Sequence, residues 1–257
     1  MQRVLTFAVL AGMSLVAGCA TANQRGDREA FDDAFAAFRA GHWQRACEGF
    51  TQHLRSYPAA PTRAEVYYYR GQALVHLKRR SEAMGDFQRA IGAGARQPIL
   101  DFARVAIGNL HYEEGNDARA IEWYAQAVAE PVPQLPLDML SLRVAVSLQR
   151  MGRWPSADKY LQYILDNFPA SPAAAEARRR IHAVSFTVQT GAYATAAAAQ
   201  QEVSRLLAAG FQPRIVPVNG GGQRLSAVQV GRARTYAEAQ ALAQRLTSAG
   251  FATLVVP

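Results

Sequence analysis

The chain has 257 residues, half of them hydrophobic, and a formal net charge of +8. That is enough apolar material for two domains with cores of their own. With Cys19 and Cys47 as the only cysteines, a disulfide framework is excluded. The positive charge is nearly all arginine, Lys78 and Lys159 being the only lysines, and its modest C-terminal excess is too thin for a nucleic-acid stripe.

The first element is an export signal. Arg3 supplies a positive start, and Val4 to Val16 is an apolar run too short to span a membrane comfortably. Val16-Ala17-Gly18-Cys19 follows, and its small residues leave the bond before Cys19 open to a peptidase. This resembles the lipobox of bacterial lipoproteins. The resemblance implies a signal peptide over residues 1–18, lipid on the Cys19 thiolate and, with Ala20 in place of an aspartate, sorting to the outer membrane. Residues 19–26 are short and polar and read as a lipidated, flexible tether with a reach of roughly 25 Å. Cys47 falls at an apolar helix position between Ala46 and Phe50 and reads as a buried, inert thiol.

Residues 27–183 form a repeat system. Ala46, Ala83, Ala120 and Ala157 recur at intervals of 37 residues, and a bulky residue stands four positions after each: Phe50, Phe87, Tyr124 and Leu161. Small residues at one position let two antiparallel helices approach, and the bulky one fills the space beside them. Gly71 and Gly108 stand on the first helix of their pairs, where the outer repeats have Ala34 and Ala145. The pattern resembles the tetratricopeptide repeat (TPR), in four helix pairs, with extra turn residues such as Pro131-Val132-Pro133 and Pro136. The resemblance implies a concave groove lined by first helices. Phe35, Tyr68, Gln72, Asn109, Tyr112, Gln149 and Arg150 are then the candidates to touch a protein partner. Ser171 to Val184 reads as a terminal capping helix with Arg178, Arg179 and Arg180 on its solvent side. It runs almost directly into the next strand without a Gly/Ser-rich or Pro-rich linker, so a fixed junction is expected.

Residues 184–257 contain one sentence twice. Val188-Gln189-Thr190-Gly191 matches Val228-Gln229-Val230-Gly231, and Ala209-Gly210-Phe211 matches Ala249-Gly250-Phe251, each pair 40 positions apart. Each copy reads strand, helix, strand. Thr195 and Thr235 are candidate N-caps. Val203, Leu206 and Leu207 form one apolar stripe, and Leu242 and Leu246 the other. Two such halves, joined at Asn219-Gly220-Gly221-Gly222, give a four-stranded antiparallel sheet with both helices on one face and the other face bare. These motifs resemble the SPOR domain, the peptidoglycan-binding module of bacterial cell-division proteins. The resemblance implies a ferredoxin-like βαββαβ fold whose bare face grips glycan strands stripped of their stem peptides.

By alternation Gln189 and Gln229 point to the bare face, where an amide suits sugar hydroxyls and N-acetyl groups. The family motif carries a glutamine at both positions. Thr187 shares the face. Arg224, Arg232 and Arg234 are placed at its rim, where they would meet glycan carboxylate, and Tyr193 offers a ring either for a sugar to stack on or for packing into the core. Catalytic motifs are missing: there is no Gly-x-Ser-x-Gly, His-Glu-x-x-His, P-loop or CxxC, and the five histidines are scattered. No enzyme activity, cofactor, metal or nucleic-acid partner is expected. The fold class expected is a TPR-type α-solenoid followed by a small ferredoxin-like domain. The expected function is an outer-membrane lipoprotein facing the periplasm, which binds glycan strands through one domain and a periplasmic protein through the other, in cell division or wall remodelling. The alternative is an envelope-assembly scaffold whose SPOR-like sheet binds no glycan.

Overall fold

The computed structural model describes residues 24–129, 132–220 and 222–257. Cys19, the segment before it, Pro131 and Gly221 lie outside the described residues. The chain divides into two compact units, Met1–Leu135 and Pro136–Pro257. The fold class is the expected one, with TPR-type solenoid repeats followed by a ferredoxin-like βαββαβ domain.

The described part of the N-terminal unit is built from helix pairs. They are α1 (24–39) with α2 (Trp43–Ser56), α3 (Arg63–His76) with α4 (Arg80–Gly92), and α5 (Ile99–Glu113) with α6 (Asp117–Ala127). Ala46, Ala83 and Ala120 are fully buried where the paired helices meet. The bulky partners also occupy the predicted space. A Cβ added at Gly71 would lie 2.7 Å from the Phe87 ring, and one at Gly108 would lie 2.6 Å from the Tyr124 ring. Within each of those pairs, one glycine is what lets one aromatic ring in.

The turn inside each pair repeats as faithfully. Gly41, Gly115 and Gly152 fall on one 37-residue register, the first two being two periods apart, with φ near +75°. The remaining place in that series is held by Lys78, at φ 62°. A side chain there costs roughly 1–2 kcal/mol, part of which glycine gives back through a more mobile unfolded chain. Lys78→Gly is therefore expected to raise stability by about 0.5–1 kcal/mol, read as a rise in the denaturation midpoint with unchanged m-value.

The N-terminus departs from the expected tether. α1 already includes residues 24–26, and Asp27 is buried. Its carboxylate meets His53 Nε2 at 2.7 Å and accepts a hydrogen bond from Thr62 Oγ1 at 2.5 Å. These bonds pin the described start of α1 to α2 and to the N-cap of α3, so residues 24–26 belong to the helical body.

The C-terminal unit begins with α7 (Leu137–Arg150), α8 (Trp154–Asn167) and α9 (Pro172–Arg180). Ser171 caps α9, its hydroxyl accepting from the Ala174 N–H. The helix is shorter than expected, so five residues, Ile181 to Ser185, link it to the first strand. Arg180 does not face solvent: it donates to Gln149 and Glu176, and its carbonyl accepts from Gln149 Nε2.

β1 (Phe186–Tyr193), α10 (Ala196–Ala208), β2 (Pro213–Gly220), β3 (Gln223–Ala233), α11 (Tyr236–Ser248) and β4 (Leu254–Val256) follow. The strand order is β2-β3-β1-β4 with every neighbour antiparallel. Thr195 and Thr235 cap the two helices through their hydroxyls. Both helices pack on one sheet face, Leu206 of α10 and Leu246 of α11 joining Val188, Val228 and Val230 of the strands in one buried cluster. Leu207, expected in the stripe, is exposed. The two copies lock reciprocally: Phe211 meets Phe251 edge-on, Arg205 lies over Phe251 and Arg245 over Phe211. Each cation–π contact adds about 0.5–1 kcal/mol.

The expected fixed junction is present within this unit. Trp154, at the start of α8, packs on Phe186 with ring centroids 4.9 Å apart and donates through Nε1 to the Arg234 carbonyl at 3.0 Å. Ala233, Tyr236 and Ala239 complete the cluster. The last helical hairpin and the sheet domain therefore share a core.

Candidate functional site

The bare face is set by strand register and by two bulges. Gln189 pairs with Gln229, Arg214 of β2 pairs with Gln229, and Leu254 of β4 pairs with Gln189. Paired residues share a face, so Arg214, Gln229, Gln189 and Leu254 form one row across all four strands. At about 4.8 Å between strands the row is roughly 14 Å long. Val216 and Ala227 pair in the next row, Val218 and Leu225 in the one after, and Thr187 pairs with Val256 on the other side. Among the described residues of this unit, no helix packs on this face.

The bulges decide which neighbours join it. On β1 the register shifts between Gln189 and Gly191, so Thr190 is an extra residue. One extra residue reverses the alternation beyond it. Tyr193 is thereby turned to the helix side, where it packs against the core under α10. Its hydroxyl pKa is raised, first by burial and then by Glu202. Tyr193 is not on the bare face, and the expectation that a sugar stacks on it is corrected. On β3 the shift falls at Gly231, which has φ 73°. A residue with a Cβ would be strained there and would also meet Leu242 at 2.4 Å. This bulge turns Ala233 into the core beside Trp154 and leaves Arg232 exposed on the bare face.

Other expected contacts also change. Arg224 pairs with Asn219, one step from Leu225, and so belongs to the helix side of the sheet. Arg234 lies beyond the end of β3, its N–H bound to Glu238 Oε2 and its carbonyl to Trp154. Thr187 is on the bare face but only 5% exposed, hemmed in by Val256 and the β3 bulge. The two glutamines are not equivalent. Gln189 is half-buried, whereas Gln229 is only 9% exposed and its Oε1 accepts from Arg214 Nη2 at 3.2 Å. Arg214 was missed by sequence reasoning. Its position on β2, once paired with Gln229, would have placed it on this face.

A family model for the SPOR domain matches residues 183–257. These residues form a SPOR domain. A tetratricopeptide repeat model matches residues 140–171. No curated protein sequence matches the chain. Among solved structures, PilF of Pseudomonas aeruginosa is 15% identical, with TM-score 0.50, over 59% of this chain and 65% of its own. A TPR protein from Parabacteroides merdae ATCC 43184 is also 15% identical, with TM-score 0.53, over 60% of this chain and 58% of its own. MamA from AMB-1 is 15% identical, with TM-score 0.50, over 60% of this chain and 78% of its own. The match spans less than two thirds of the first two chains. At this identity the likeness shows the helical fold alone. SPOR and TPR modules are binding modules, so the chain combines a glycan-binding type of domain with a protein-interaction type.

The residues expected to face a partner in the TPR groove divide three ways. Phe35, Tyr68, Gln72, Asn109 and Tyr112 are half-buried. Phe35 stacks on Phe31 and Phe38, and the Tyr68 hydroxyl accepts from Gln72 Nε2 at 2.9 Å. Burial pushes the Tyr68 phenol up to about 12, the Gln72 hydrogen bond opposing it. Gln149 is 0% exposed and bound to Arg180 of α9, so it faces the hairpin interior and that assignment is corrected. Arg150 lies over the Tyr236 ring of the SPOR domain.

Cys47 is buried and free, and burial raises its thiol pKa, as suits an unreactive packing residue. Among the described residues no group of three metal-ligating side chains occurs, and no helix is long and apolar enough to cross a membrane.

Proposed function

We propose that this is a non-catalytic outer-membrane lipoprotein of the bacterial envelope. Its SPOR domain binds glycan strands stripped of stem peptides, and its TPR groove holds a periplasmic protein in cell division or wall remodelling. The proposed division of the chain is a signal peptide over 1–18, a lipidated tether starting at Cys19, the helical array to 183, and the SPOR domain over 184–257. The observation that carries the reading is the bare sheet face, where accessible Gln189 and Arg214 stand in one row without a helix of this unit over them. Amide and guanidinium donors there suit sugar hydroxyls, N-acetyl groups and free carboxylates.

Co-sedimentation with sacculi is the test. The full chain is expected to pellet with amidase-treated sacculi and to remain in solution with untreated ones. Gln189→Ala is expected to weaken retention by about threefold to tenfold with unchanged circular dichroism, the loss of one well-placed polar contact in a shallow site. Equal recovery from both wall preparations would remove the glycan reading and leave the envelope-assembly scaffold.

A further inference from the structure

We infer that Arg214 is the residue by which the SPOR face distinguishes a carboxylate-bearing glycan from a neutral one. The inference rests on the glycan reading above and goes beyond it by naming the group recognised and the residue that reads it. Removing a stem peptide from a sugar frees a lactyl carboxylate that was tied up as an amide. Besides removing the bulk of the peptide, this places a negative charge on the strand, which a suitably placed cationic group on the face can read.

Arg214 is such a group. It is exposed, and Nη2 is held by the Gln229 amide oxygen at 3.2 Å. A guanidinium has five N–H donors, so this single bond orients the fork and leaves donors for a ligand. Gln229 is nearly buried and its oxygen is already used, which makes it a positioning residue for Arg214. The neighbours on the same face, Val216 and Ala227, are half-buried and buried, so a bound carboxylate would have apolar surface beside the guanidinium. A lysine in the same place would supply charge without the planar fork that matches a carboxylate.

The surrounding charge points the same way. The only acidic residues of the SPOR domain are Glu202 and Glu238. Both are on helices; Glu202 pairs with Arg205, and Glu238 accepts from the Arg234 N–H. The bare face presents Arg214 and Arg232 with no carboxylate among its described residues to neutralise them. Its complement is an anionic polymer laid along the sheet.

The experiment uses the full chain and isolated amidase-stripped glycan strands, beside the same strands with their carboxyls converted to primary amides. The unmodified chain is expected to prefer the carboxylate form by about tenfold to a hundredfold, the range of a hydrogen-bonded charge. R214Q should bind both forms alike, at the level the unmodified chain shows for the amidated form. R214K should keep only part of the preference. Circular dichroism of both variants should match the parent. A preference that survives in R214Q, or that is lost in R232Q instead, overturns the assignment. Equal binding of both forms by the unmodified chain overturns it while leaving the glycan reading standing. Failure to bind either form removes both. Binding of polyglutamate as tight as that of stripped glycan overturns it in favour of an acidic protein ligand.

Discussion

Replacing Trp154 with alanine is expected to lower the stability of the C-terminal unit by about 3–5 kcal/mol, the range for removing a large buried aromatic side chain. The ring is 5% exposed and packs on Phe186, which in turn meets Tyr236 edge-on. Truncation opens a cavity among these residues and strips the Arg234 carbonyl of its Nε1–H donor at 3.0 Å. Denaturant unfolding followed by far-ultraviolet circular dichroism reads the loss. Limited proteolysis reads where it falls, because Arg178, Arg179 and Arg180 precede the link into β1 and should become trypsin-sensitive. Trp154→Phe keeps most of the packing and loses the hydrogen bond, so its cost should be nearer 1–2 kcal/mol, again roughly. A variant that unfolds at the parent's midpoint, with the link still protected, would mean that the cluster contributes little.

The second large effect belongs to Gly108. A Cβ there would lie 2.6 Å from the Tyr124 ring, which is 1% exposed and tied by its hydroxyl to Asn109 Oδ1 at 2.8 Å. The ring cannot retreat without breaking that bond and displacing its neighbours. Gly108→Val should therefore cost about 2–4 kcal/mol, overpacking together with the lost hydrogen bond and little gain in helix propensity. Gly92 is the control. It ends α4, and an added Cβ meets nothing within 4 Å, so Gly92→Ala should be neutral or stabilising by up to about 1 kcal/mol. Thermal unfolding of the two variants side by side separates a steric cost from a general intolerance of substitution. Similar melting temperatures would show that close approach at Gly108 is not what sets the helix spacing.

What was legible in the sequence is what repeats. The 37-residue interval of Ala46, Ala83, Ala120 and Ala157 locates helix pairs because close packing needs a small residue at the same place in every pair. The 40-residue offset between Val188-Gln189 and Val228-Gln229 locates the two halves of the sheet domain. Thr195 and Thr235 were readable as caps because a hydroxyl before a helix satisfies an otherwise free N–H.

The details that escaped depend on events without a periodic signature. A bulge at Thr190 reverses the faces beyond it, and that is what settles Tyr193 in the core and not on the bare face. Arg214 required pairing β2 with β3 residue by residue, which the hairpin turn alone does not supply. Gln149 stands on the first helix of its pair, the helix expected to line the groove, and no spacing announces that its amide bonds to Arg180 of α9 instead. Asp27, His53 and Thr62 are far apart in sequence, and nothing local announces that they meet. Their contact turns part of the expected tether into helix.

The shared core around Trp154 also has a mechanical meaning. Tension along a captured polymer would enter α8 through packed rings and one hydrogen bond instead of first drawing out a slack string. The grip then behaves as a rigid fitting, and its failure under load would be an abrupt rupture of the junction, without a long elastic extension beforehand.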